Sequence, residues 1–97
     1  MAEQAFDLQR ETPRALEHVV ATDFEGGEGV LVDLNTKQYY QLNETAMLVW
    51  RGLERGLSLA ELAEQMSSGY DVTPEHARRS VEKILNNLLA LKLVGRG

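Results

Sequence analysis

His18 and His76 are the only histidines in the chain. An imidazole does acid–base work or holds a metal only beside a second ligand or a partnering carboxylate, and neither has one at helical ligand spacing. His76 reads as a first-turn surface residue and His18 as a strand residue. The chain has no cysteine, which removes disulfides, thiolate metal sites and cysteine nucleophiles together. Ser58, Ser67, Ser68 and Ser80 could be nucleophiles only with a positioned base, and the histidines suggest none. The cluster Gly26-Gly27-Glu28-Gly29 lacks the following Lys and Ser/Thr of a phosphate loop, and a strand rather than a helix follows it. Glu61, Glu75 and Asp33 have structural assignments as capping box, helix-dipole partner and turn residue. The expectation is a protein with no catalytic residue, no metal and no cofactor.

What remains is surface that could bind. Tyr39 and Tyr40 are adjacent in a β-rich run and must face opposite sides of a strand, so one is core and the other exposed. Trp50, at helical spacing from Ala46 and Leu53, is a core residue.

The elements that position these residues follow from pattern and breakers. A short strand is expected over Leu16–Ala21, ended by the breaker cluster at 25–29. Val30–Leu34 and Tyr39–Leu42 form a hairpin around Asn35-Thr36-Lys37. Asn43 caps a first helix, and Leu42 can staple against Met47. Ser58-Leu59-Ala60-Glu61 is a capping box with Leu57 and Leu62 as its staple, starting a second helix that Gly69 closes. Thr73-Pro74-Glu75 starts the third. On that helix Ala77, Val81, Ile84, Leu88 and Leu91 form the core stripe, while Leu85 and Leu89 widen its flank toward a second neighbour. The order predicts an α+β, winged-helix-like domain: a three-stranded N-terminal sheet or hairpin, then three helices.

With 97 residues, the chain is one domain, read as a flexible N-terminal arm over 1–14 and a folded unit over 15–97. No apolar run reaches the roughly 20 residues of a membrane span, and no secretory signal is seen, so a cytoplasmic location is expected. Fifteen acidic residues against ten basic give a net charge of -5, which opposes binding to a phosphate backbone.

The run from Val30 to Ala46, with Val30-Leu31-Val32-Asp33-Leu34 leading through Gln38-Tyr39-Tyr40-Gln41-Leu42 into Asn43-Glu44-Thr45, resembles the hairpin-to-helix signature of the PqqD-like family. Trp50, Ser58–Leu62, Tyr70-Asp71-Val72 and the closing Val81, Ile84, Leu85, Leu88, Leu93 and Val94 extend the resemblance over about residues 15 to 94. Many members carry glycine where this chain has Lys92, which puts the ending of the last helix in question. The resemblance implies a non-catalytic RiPP recognition element, a peptide chaperone. Such a module takes the leader of a ribosomally synthesised precursor peptide as an extra strand on its third strand, beside the third helix. It presents the precursor to a modifying enzyme, such as a radical SAM protein or a leader peptidase.

The edge is therefore expected at Gln38, Tyr39, Tyr40, Gln41 and Leu42, because an open strand offers unpaired backbone groups. Leu85 and Leu89 are expected to wall the groove, with Arg78 and Glu82 orienting charged leader residues at its rim. Leu85→Asp should then abolish peptide binding and leave the fold intact. Two alternatives use the same elements. One is a DNA-binding regulator reading through Arg78, Arg79, Lys83, Asn86 and Asn87, opposed by the acidic balance. The other is a structural scaffold whose edge forms a homodimer.

Overall fold

The β-branched runs and capping residues each produce the element they favour. A computed structural model describes residues 7–8 and 10–96. Its elements run β1 (Arg14–Ala15), β2 (Val19–Asp23), a 3-10 turn (Glu25–Gly27), β3 (Gly29–Asp33), β4 (Gln38–Leu42), α1 (Glu44–Glu54), α2 (Leu59–Gly69), α3 (Pro74–Ala90) and β5 (Val94–Gly95). The fold is α+β, a three-stranded antiparallel sheet of order β2-β3-β4 followed by three helices.

Alternation along the strands divides the sheet into two faces. Val19, Ala21, Leu31, Asp33, Tyr40 and Leu42 face inward, with Ala21, Leu31 and Tyr40 in one row. Val20, Val32 and Tyr39 form an opposing row on the outer face. The β3–β4 turn is closed by Asp33, whose buried Oδ1 accepts from the backbone N–H of Asn35 at 2.9 Å and of Thr36 at 3.1 Å. Lys37 completes it at φ 65°, donating its N–H to the Asp33 carbonyl at 2.7 Å.

All three helix starts carry their expected caps. Asn43 Oδ1 accepts from Ala46 N–H, Thr73 Oγ1 accepts from His76 N–H, and Ser58 and Glu61 bond reciprocally. Helices α1 and α2 cross so closely at Gly52 that an added Cβ would collide with the Leu62 side chain. Trp50, at the centre of α1, is fully buried with Leu31, Leu62, Leu85 and Leu93, and its indole N–H donates to Glu54 Oε2 at 3.1 Å. Arg51 joins this helix to the sheet, donating to Asp23 at 2.6 Å and to Glu54 at 2.7 Å. The bond to Asp23 first, then that to Glu54, raises the Arg51 pKa above the ordinary guanidinium value.

Several expectations need correction. The first long strand is Val19–Asp23 rather than Leu16–Ala21, because Val19 N–H bonds back to the Leu16 carbonyl and turns the chain there. His18 consequently lies in that turn, not in a strand, with Nε2 3.7 Å from Asp33 Oδ1. Arg14–Ala15 instead pair with Val94–Gly95 in a small clasp that periodicity over two residues could not reveal. Residues 1–6 and 9 of the expected arm lie outside the described residues. Its last part is tied down: Glu11 pairs with Arg96 at 2.9 Å, Thr12 Oγ1 accepts from Leu59 N–H at 2.9 Å, and Pro13 is buried.

Candidate functional site

Among the described residues no group of three His, Cys, Asp or Glu side chains gathers as a metal ion would require, and no helix is long and apolar enough to cross a membrane. The features with binding geometry are a strand edge and a groove.

Among the described residues strand β4 pairs with β3 alone, so one side of Gln38–Leu42 has no neighbour among them in the sheet. An edge strand directs alternate N–H and C=O groups away from its partner, ready to pair with another chain. Tyr39 is 73% exposed on the outer face, whereas Tyr40 is half-buried against the core.

Where β4 runs into α1, a groove of about 430 Å³ opens against the C-terminal half of α3. Leu42, Ala46, Ile84, Leu88 and Leu91 give it apolar walls, and Asn43, Thr45 and Asn87 place polar atoms among them. No lining residue is charged, so the groove suits an apolar side chain carried on a backbone that the amides and hydroxyl can meet. Asn43 is held in place by its cap, accepting also from Thr45 Oγ1 at 3.1 Å. The adjacent Glu44 lies against the 3-10 turn at Gly27 and bonds the Tyr70 phenol. Burial first, and the Glu44 carboxylate second, raises the Tyr70 pKa above its ordinary value.

The helix residues expected at the groove lie elsewhere. Leu85 has 0% exposure and belongs to the core, so Leu85→Asp would bury a charge among apolar neighbours rather than probe a surface. Leu89 packs half-buried against the same core. Arg78 pairs with Glu82 at 3.8 Å and lines a different depression, between α2 and α3, with Glu61, Pro74 and Glu75. At about 100° per residue, the side bearing positions 78, 82, 85 and 89 is turned roughly a third to a half of a circle from Ile84 and Leu91. Ile84, Asn87 and Leu91, with Leu91 44% exposed, face the groove instead. The stripe at 77, 81, 84, 88 and 91 contains the signal for two of them, but one apolar stripe does not say which border meets the core.

Comparison with known proteins adds independent information. The family profile described as coenzyme PQQ synthesis protein D (PqqD) matches residues 28–94. No curated protein matches the chain. Among solved structures, TbiB1 in complex with the TbiA(beta) leader peptide is similar at 25% identity and a TM-score of 0.77, over 84% of this chain and 93% of that one. Lasso peptide synthetase B1 complexed with the leader peptide is similar at 27% identity and a TM-score of 0.72, over 84% and 94%.

Proposed function

The chain belongs to the PqqD family, and from that premise we propose that it is a non-catalytic module binding the leader of a ribosomally synthesised precursor peptide and presenting it to a modifying enzyme. The leader adds as a strand along Gln38, Tyr39, Tyr40, Gln41 and Leu42, and one of its apolar side chains enters the groove between Leu42, Ile84, Leu88 and Leu91. The observation that carries this reading is the juxtaposition of an edge strand, unpaired on one side among the described residues, with an uncharged apolar groove that begins at its last residue, Leu42. Both similar solved structures are named as leader-peptide complexes, which supports it. Backbone pairing supplies affinity that tolerates sequence variation, while the groove selects. Burying one large apolar side chain contributes about 1.5–3 kcal/mol, enough to distinguish an apolar from a polar residue at one leader position.

The test is titration of isotopically labelled protein with the leader segment of the nearest encoded small precursor peptide, read by amide shifts. Shifts are expected at Gln38–Leu42 and at Ile84, Asn87 and Leu91. Leu91→Asp, at a position exposed enough to spare the fold, should weaken binding at least tenfold. Wild-type affinity in the folded variant, or shifts confined to another surface, would overturn the assignment.

A further inference from the structure

Helices α2 and α3 leave a second groove between them, of about 790 Å³, and no residue lines both it and the groove beside β4. Its floor is made of small side chains. Ala60, Ala63 and Ser67 recur at helical spacing along α2, and Pro74 lines it from the first turn of α3. Its rim is acidic. Glu61 and Glu64 stand one turn apart on α2 and Glu75 stands on α3, against a single cation, Arg78, whose charge is shared with Glu82 at 3.8 Å. Glu61 Oε1 accepts the Ser58 N–H at 2.8 Å in the capping box, whereas neither Glu64 nor Glu75 enters an ion pair among the described residues. The three carboxylates do not gather as ligands of a metal ion would, so their charge is spread along the groove instead of focused at a point.

We infer that this groove docks a basic amphipathic helix of the modifying enzyme; the inference rests on the leader-binding reading above. Shape and charge choose that occupant. Small floor residues admit a helix axis at about 8–10 Å from α2, where longer side chains would hold it off. The stretch from Ala60 to Ser68 is about 12 Å long at about 1.5 Å per residue, so a helix of two to three turns fills it. Acid on both walls selects Lys or Arg on both flanks of the incoming apolar stripe. The same acid repels a phosphate backbone or a second copy presenting these residues. The leader is engaged elsewhere on α3: from Arg78 to Leu88 the helix advances about 15 Å, and the side bearing Arg78 is turned away from Ile84 and Leu91. Both grooves can therefore be filled at once, one holding the peptide and the other the enzyme that acts on it. The acidic groove is far smaller than the roughly 20–30 residues per side of a stable interface, so it binds weakly alone. With precursor bound to the domain and also held by the enzyme, the second contact forms at the effective concentration set by the first.

The test uses the full chain with the purified nearest encoded modifying enzyme and small precursor peptide, and unfolding curves verify the fold of each variant. Wild-type affinity for the enzyme should fall about fivefold between about 50 and 300 mM salt, because exposed ion pairs are screened. Glu64→Gln combined with Glu75→Gln should lose about fivefold at the lower salt and keep little salt dependence, while leader affinity stays within about twofold of wild type. Glu25→Gln combined with Glu28→Gln makes the same change in net charge at exposed positions outside the groove, and should leave enzyme affinity within about twofold. Ala60→Tyr, also at an exposed position, fills the groove without altering charge and should weaken enzyme binding by a similar factor at both salt concentrations. Wild-type enzyme affinity in the folded Glu64/Glu75 or Ala60 variant overturns the inference, as do equal losses in the two charge variants or a wild type that binds no enzyme. Failure of the wild type to bind leader removes the underlying reading, a result distinct from leader binding with no effect of the groove variants on the enzyme.

Discussion

Lys92 shows how a single residue can depart from a family pattern without changing the structure. Helix α3 ends with Lys92 N–H bonded to the Leu89 carbonyl and Leu93 N–H bonded to the Leu88 carbonyl, each at 3.0 Å, while Lys92 takes φ 62°. This is a Schellman ending, and buried Leu93 beside Leu88 supplies its hydrophobic contact. Helix α1 ends the same way at Gly56, φ 80°, where glycine fits without strain. A lysine in the left-handed region costs about 1–2 kcal/mol, partly offset because glycine has more freedom to lose on folding. Lys92→Gly should therefore raise stability by about 0.5–1 kcal/mol in urea unfolding, with an unchanged denaturant slope. A destabilised variant would mean that the lysine side chain makes a compensating contact.

At the scale of elements, the hairpin is the part on which binding depends, because its turn sets the register of the edge strand. Asp33 holds that turn through two backbone N–H groups from within the sheet. Asp33→Ala leaves both donors without their acceptor and should cost about 1–3 kcal/mol, with a weaker leader interaction. Asp33→Asn keeps the side-chain oxygen and should recover most of both losses; equal loss in the two variants would assign the effect to charge instead. The sequence was informative about this element and the helix starts because turn and capping chemistry is local: Asp33, Asn43, Ser58 and Thr73 act on residues two or three positions away. The rotation of α3 was not legible. Ile84 and Leu85 are adjacent and equally apolar, and only the placement of α2 and the sheet sends Leu85 to the core and Ile84 to the groove. Likewise Val30 and Val32 fit a strand on either face, so alternation alone does not disclose an apolar outer surface.

Over the whole molecule, the helices and the sheet meet at a few long-range contacts, one of which titrates. Tyr70 caps the end of α2, and its phenol meets Glu44 at the start of α1, between the groove residues Asn43 and Thr45. Burial raises its folded pKa above the unfolded value of 10.0, with the neighbouring carboxylate adding to the shift. The folded state therefore holds the phenolic proton more tightly than the unfolded state. The associated stability is fully present below pH 10 and is lost as pH rises through the raised folded value. Wild-type stability should thus fall more steeply above pH 10 than that of Tyr70→Phe, which has no proton to lose at this junction. Urea unfolding of both proteins from pH 8 to 11 measures the difference, and parallel curves would rule out Tyr70 as the titrating group. Because Glu44 adjoins the groove, leader affinity in the wild type should decline over the same window, whereas Tyr70→Phe should retain it.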